Sequence, residues 1–307
     1  MKLVFMGTPE FAVPSLERLL ESDHDLAAVV TRPDRPRGRG QRVEPTPVKK
    51  VAVEAGVPVL QPEHIDAPES LNQLREIGAD LFVVVAFVLL PKPVLSIPLQ
   101  GCVNLHPSLL PRYRGAAPIN WAIIRGESET GITVFRLSAR MDAGDILHQE
   151  PVGIGPDETA GELSDRLKVK GADAVLATVE RLASGGLTGR PQQSKGITRA
   201  PKLSKDDGRT DWTRSATEIR NLIRGTNPFP GAFTTRKNKE LKLHRATVVA
   251  GEGTPGQVIL ADGKAGLVVA TGQDALALEE VQPAGKARMT GAELVRGYRV
   301  EAGEKLG

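Results

Sequence analysis

Apolar residues occupy this chain in two rhythms. "KLVFMG" (residues 2–7), "DLAAVVT" (25–31), "DLFVVVAF" (80–87) and "GCVNLH" (101–106) are short, near-continuous apolar runs, the pattern of strands buried on both faces of a parallel sheet. Between the first two, "FAVPSLERLLES" carries its apolar residues at helical spacing, which gives the order strand, helix, strand. The pattern predicts an α/β fold with a doubly wound, Rossmann-like sheet, whose ligands sit beyond the carboxyl ends of the strands. "TVFRLS" and "DILHQEP" read as edge strands around a turn. Thr159 and Glu162 then form a capping box before a long helix with Leu163, Leu167, Val175, Val179 and Leu182 on one face.

The rhythm stops at Gly185. From there to Asp207 the chain is rich in Gly, Gln, Ser, Lys and Pro without periodicity, the composition of a linker. Beyond it "SATEIRNLIRG" reads as a short helix, and "KELKLHRATVV", "GQVIL", "GLVVAT" and "ALALEEVQ" as short strands between Gly-rich turns. This predicts a small β-barrel of the oligonucleotide-binding (OB-like) type. The expected division is a catalytic domain over 1–184, a linker over 185–207 and a C-terminal barrel domain over 208–307.

Composition narrows the setting. The 307 residues are 40% hydrophobic, enough for two cores. The longest apolar run, residues 81–90, is well short of the ~20 residues of a membrane helix. No signal-peptide pattern follows Met1, so a cytoplasmic protein with no membrane partner is expected, with a monomer as the default. The one cysteine, Cys102, excludes an internal disulfide and reads as a buried, inert thiol. The net charge of +3 conceals an excess of basic residues over acidic ones between 209 and 249, nine against three. That excess fits either a surface facing a polyanion or a solubilising face.

The densest chemistry lies in "GCVNLHPSLLPRYRGAAPINWAI" (101–123). Asn104 and His106 are two apart on a strand and so project to the same side at its carboxyl end. Pro107 and Pro111 stiffen the turn that follows, and Arg112 and Arg114 are placed to reach anionic groups of a ligand. Asp142, in "RMDAGDIL", follows on a later loop. An aspartate beside an imidazole raises the imidazole pKa, which suits acid/base or electrophilic work. Alone, His106 reads first as a satisfied structural histidine and Asp142 at least as readily as a turn residue. The histidines at 24, 64, 106, 148 and 244 have no zinc-ligand spacing, so no metal is expected. The lone Gly7 of "FMGTPEF", which ends the first strand, makes neither a GxGxxG nor a phosphate loop, so no dinucleotide or NTP site is expected there, and the chain has no GxSxG elbow.

"NLHPSLLPRYRG" followed by "TGITVFRLSARMDAGDIL" resembles the folate-dependent formyltransferases. The resemblance extends over almost the whole chain, through "FMGTPEFAVPSLERLL", "TRPDRPRGRGQRVEPTPVKKVA", "APKLSKDDGRTDW", "IRGTNPFPGAF" and "VQPAGKARMTGAEL", and narrows to those that act on methionyl-tRNA. It implies that Asn104, His106 and Asp142 are catalytic, that 10-formyltetrahydrofolate is the co-substrate, and that the formyl group passes to the α-amine of initiator methionyl-tRNA. By the same resemblance Phe87, Ser108, Leu109, Leu110 and Pro111 line the folate and formyl site. Phe87 and Val88 stand where relatives read Tyr-Gly, in a shorter stretch.

Arg32, Arg35, Arg37, Arg39 and Arg42 alternate with Pro and Gly and are opposed within their loop only by Asp34. Such a loop should be mobile and should seek phosphate. The resemblance makes Arg35, Arg37, Arg39 and Arg42, with Lys202 in "APKLSKDDGRTDW", the residues that face tRNA, Arg39 being the matching key position. Three readings remain open on the residues: this transferase, a relative using another amine or water as acceptor, and a tRNA-binding module without activity.

Overall fold

The structure, a computed structural model, describes residues 1–37 and 42–307, without the side chains of Arg37 and Arg42. The chain forms two compact units. One comprises Met1–Gly115, Thr130–Val152 and Ser164–Ala200, and the other Ala116–Glu129, Gly153–Leu163 and Pro201–Gly307.

The first unit is built on a seven-stranded sheet. Its order is Ile146–Gly153, Glu129–Arg136, Cys102–His106, Leu81–Val85, Lys2–Gly7, Asp25–Val30 and Val59–Leu60. The strands from Cys102–His106 to Val59–Leu60 pair in parallel, and Glu129–Arg136 joins antiparallel. The near-continuous apolar runs are therefore the central strands, and every residue of Leu81–Val85 is buried. Side chains on both faces leave water together, so alternation is lost and only a solid apolar run remains in the sequence. Cys102 is buried, and burial pushes its thiol up to about 12.

The helix Ala160–Ala183 opens with the expected capping box: the Thr159 hydroxyl accepts from the Glu162 N–H at 3.2 Å and the Glu162 carboxylate from the Thr159 N–H at 2.8 Å. Leu163, Leu167, Val175, Val179 and Leu182 are all buried. Gly171 lets this helix approach the sheet, for a Cβ there would come within 2.5 Å of the Leu105 side chain. Among the described residues no helix is long and apolar enough to cross a membrane.

The flanks of the arginine loop pair as a short antiparallel ribbon, Arg35–Arg37 with Arg42–Glu44. The Asp34 carboxylate accepts from Lys49 Nζ at 2.5 Å and Gln61 Nε2 at 2.8 Å.

In the second unit an antiparallel sheet runs in the order Ala232–Arg236, Lys239–Val249, Ala275–Pro283, Gly266–Ala270 and Val258–Asp262, with Met289–Thr290 beside Ala275–Pro283. Its core gathers Trp212, Ile219, Ile223, Leu243, Leu278 and Leu294. The helices Ala216–Gly225 and Gly291–Tyr298 both begin with complete capping boxes, from Ser215 with Glu218 and Thr290 with Glu293.

Phe82 is fully buried at the centre of the first unit, so Phe82→Ala should cost about 3–5 kcal/mol, through lost burial and the cavity left behind. Ser215→Ala removes one cap bond and should cost only about 1 kcal/mol. Denaturant unfolding of the two variants beside the unaltered chain measures both, and a Phe82→Ala loss no larger than that of Ser215→Ala would contradict this placement of the core.

Candidate active site

The strand Cys102–His106 carries the half-buried Asn104 and the buried His106 on one face. Its register sets His106 against Thr133 and Asn104 against Phe135, and the Phe135 ring meets the imidazole edge-on at 6.5 Å between centroids. The Asn104 side-chain amide makes no hydrogen bond among the described residues. It is a donor held in place by its strand alone.

The turn after the strand folds back over His106. His106 Nε2 lies 2.9 Å from the Tyr113 carbonyl oxygen. A carbonyl can only accept, so Nε2 carries a proton and Nδ1 is the ring nitrogen left to exchange one. Nδ1 faces Asp142 Oδ2 at 4.0 Å, too long for a hydrogen bond but close enough for charge to be felt. The Asp142 carboxylate accepts instead from the Gly115 N–H at 2.8 Å.

Burial lowers the His106 pKa below its ordinary value, outweighing the rise caused first by Asp142 and then by the Tyr113 carbonyl, and Arg114 lowers it further. Asp142 does raise the imidazole pKa, as the sequence leads one to expect, and burial outweighs that rise. Near-complete removal from water disfavours the cation more than one carboxylate 4.0 Å away favours it. At rest the ring is neutral, with its lone pair at Nδ1.

Asp142 has a φ of +48°, Tyr113 of +58° and Ala86, just past Leu81–Val85, of +49°. These left-handed residues cluster at one end of the sheet, beyond the carboxyl ends of adjacent strands, and strained backbone of this kind persists where the surroundings over-determine it. Residues of the segment 185–200 supply part of that support. Gln192 Nε2 donates to the carbonyls of Asp142 at 2.9 Å and Gly144 at 2.8 Å, while its Oε1 accepts from Arg114 Nη2 at 2.6 Å. Thr198 Oγ1 accepts the Tyr113 N–H at 2.8 Å, and Arg199–Ala200 pairs with Arg114–Gly115. Gly115, at φ +124°, admits this pairing, since a Cβ there would stand 2.5 Å from the Ala200 carbonyl oxygen.

Gln192 and Thr198 were missed by sequence reasoning. The only signal was a polar residue after a proline within an aperiodic stretch, which has the same composition as a solvated connector. Arg114, expected to reach a ligand, has its Nη2 committed to Gln192, while its Nε is buried without a partner.

The remaining candidates divide by exposure. Ser108 and Leu110 are enclosed: the Ser108 hydroxyl donates to the Arg112 carbonyl at 2.7 Å, and Leu110 packs against Phe135 and Ile146. Their backbone is pinned by Thr133, whose hydroxyl donates to the Ser108 carbonyl at 2.6 Å and accepts from the Leu110 N–H at 3.2 Å. They shape the turn, and the half-buried Phe87, Leu109 and Pro111 are the ones with apolar surface open to a ligand. Arg35 is exposed on the first unit and Lys202 on the second. Arg39 lies outside the described residues, as do the side chains of Arg37 and Arg42.

A family model described as formyl transferase matches residues 1–179, and one described as formyl transferase, C-terminal domain, matches residues 202–299. Among curated proteins, the methionyl-tRNA formyltransferase of Geobacter metallireducens is 49% identical over 100% of this chain and 99% of its own length. That of Acetivibrio thermocellus is 47% identical over 100% of both. Among solved structures, a sugar 3N-formyl transferase crystallised with dTDP and 5-N-formyl-THF superposes with a TM-score of 0.69 at 18% identity, covering 94% of this chain and 99% of that one. HypX from Aquifex aeolicus, in complex with tetrahydrofolic acid, gives 0.64 at 18% identity, over 99% of this chain and 48% of that one. The likeness to these two structures is one of fold, whereas the curated relatives match nearly half of all positions from end to end. The chain belongs to the methionyl-tRNA formyltransferase family.

Proposed function

We propose that the chain transfers the formyl group of 10-formyltetrahydrofolate to the α-amine of initiator methionyl-tRNA. The observation that carries this reading is the 49% identity, over the full length, to a protein of that name. The compartment that fits is the cytoplasm, where aminoacylated tRNA is used.

The residues present fit a folate. Phe87, Leu109 and Pro111 offer half-buried apolar surface beyond the ends of neighbouring strands, and Arg114 Nε is a buried donor with no protein partner. Apolar walls with a few fixed polar groups are what such a ligand requires. The folate supplies an activated formyl carbon, and the substrate amine is itself the nucleophile. No side-chain nucleophile is needed.

The chain's own groups then have three tasks. Asn104 donates from its free amide to the formyl oxygen as negative charge builds there, a contribution of ~3 kcal/mol for a well-placed donor. His106 takes the proton released by the attacking amine at Nδ1, since Nε2 is already bound to the Tyr113 carbonyl. Asp142, 4.0 Å from Nδ1, stabilises the imidazolium so formed, which returns the proton to the departing nitrogen. A resting charge on His106 would block the first transfer, and burial keeps it neutral until the amine arrives. On the RNA side, the exposed Arg35 and Lys202 suit phosphate contact, with Arg37, Arg39 and Arg42 assigned by resemblance.

His106→Ala should lower kcat by ~10² or more in transfer of labelled formyl to methionyl-tRNA, and Asp142→Asn should also slow it. Wild-type turnover in the first variant would remove His106 from the mechanism.

The imidazole should titrate by NMR with a midpoint below the ~6.5 of an unfolded chain, and Asp142→Asn should push it lower still, because Asp142 raises it. The stability linked to His106 is therefore fully present above ~6.5 and is lost as pH falls through the lower folded value. An upward move of the midpoint in Asp142→Asn would reverse the assigned sign.

Gln192→Ala releases the Asp142 loop and should reduce kcat by ~10-fold or more, as small misplacements of reacting groups do. It should also shift the His106 midpoint in the direction of Asp142→Asn. A fall in stability with no shift would reduce Gln192 to a scaffold residue.

A further inference from the structure

The motif "VQPAGKARM" has no task in the reaction described above, yet it walls a pocket of about 250 Å³ in the second unit. Two turns flank this pocket. In the hairpin between Ala232–Arg236 and Lys239–Val249, Lys237 and Asn238 both take left-handed φ values, 49° and 60°, as a two-residue hairpin turn demands. The other turn, Pro283–Lys286, is fixed from inside. The Lys286 N–H donates to the Pro283 carbonyl at 3.0 Å, and Gln282 Nε2 holds the Lys286 carbonyl at 2.7 Å. A third bond, from the Ala284 N–H to the Glu240 carbonyl at 3.1 Å, ties this turn to the neighbouring strand.

The lining has two chemistries. Pro283 and the ring of Tyr298, both half-buried, give apolar surface, Leu241 and Leu294 line it from within the core, and Lys237, Lys239 and Lys286 stand exposed around it. The acidic groups nearby are already engaged. Glu304 takes two bonds from Arg236, both 2.9 Å, with Lys237 Nζ at 3.5 Å, and Glu240 pairs with Lys205 at 2.6 Å. Among the described residues Lys239 and Lys286 have no acidic partner. Two uncommitted cations therefore overlook an apolar hollow.

A free phosphate or carboxylate would use the cations and leave the apolar surface bare. A purely apolar ligand would leave the cations unanswered. A nucleotide satisfies both, with its base on the apolar and aromatic surface and its phosphate at the rim, the pairing that single-stranded nucleic-acid sites use. The volume is below the ~300 Å³ at which drug-sized pockets begin, so one ring fits and a stacked duplex end does not.

We propose that this pocket takes a single unpaired nucleotide, base inward against Tyr298 and Pro283, phosphate outward at Lys239 and Lys286. The RNA source of that nucleotide rests on the methionyl-tRNA reading above, and a free mononucleotide has the same chemistry.

Lysine acetylation with a soluble active ester, read by mass spectrometry on the full-length chain, tests it. The probes are an unstructured six-nucleotide RNA, a mixture of nucleoside monophosphates, and inorganic phosphate at matched phosphate concentration. The oligonucleotide should slow labelling of Lys239 and Lys286 several-fold, and phosphate should not. Protection by the monophosphates alone would support the pocket and assign it to free nucleotides. Unchanged labelling with every probe, or equal protection by phosphate, overturns the proposal. The double variant Lys239→Ala with Lys286→Ala, both at exposed positions, should raise KM for methionyl-tRNA several-fold and lower the salt slope of tRNA binding by ~2. Formyl transfer by the unaltered chain is measured on the same preparation. Transfer without protection sinks the pocket alone, and protection without transfer sinks the functional reading alone.

Discussion

The hydrogen bond between His106 Nε2 and the Tyr113 carbonyl, 2.9 Å long, is the contact on which the site depends. It fixes which ring nitrogen is free, and it does so with backbone, which cannot titrate or rotate away. For that carbonyl to point at the ring, Tyr113 must hold a left-handed φ of +58°. A conformation of that kind costs ~1–2 kcal/mol for a residue with a Cβ and needs outside support. Thr198 provides it by accepting the Tyr113 N–H, and two residues further on the Gly115 N–H reaches Asp142. One turn thereby sets both the tautomer of the imidazole and the place of its carboxylate.

The 4.0 Å gap between His106 and Asp142 has the same logic. Had Asp142 been hydrogen-bonded directly to Nδ1, that nitrogen would already hold a proton and could not accept another. Held back by the Gly115 N–H and by Gln192 on its own carbonyl, the carboxylate stays where its field favours an imidazolium without creating one beforehand. Burial supplies the opposing bias. The resting neutral ring reflects a balance between desolvation and one nearby charge.

The second unit uses charge differently. Lys239 opens an exposed strand end and Lys286 lies on an exposed turn, where water and salt screen each interaction. Single contacts there are weak, so a polyanion would be held only by several phosphates met together. The polar groups of the first unit's site are largely withdrawn from water, whereas the lysines beside the second unit's hollow are exposed.

The chain's sequence determined by itself whatever rests on local periodicity. Solid apolar runs identify strands covered on both faces, period-two spacing places Asn104 and His106 on one side, and Thr159 with Glu162 marks a helix start. Each is decided by residues a few positions apart, so the order of residues suffices. Tertiary structure alone decided the rest. The bonds from Gln192 to the Asp142 loop and from Tyr113 to Thr198 span 50 and 85 residues, and no composition rule separates such a strap from a solvated connector. The charge of His106 was likewise beyond the sequence, where the aspartate was visible and the loss of water was not. Burial is a property of everything packed around a side chain, and it exists only once the chain has folded.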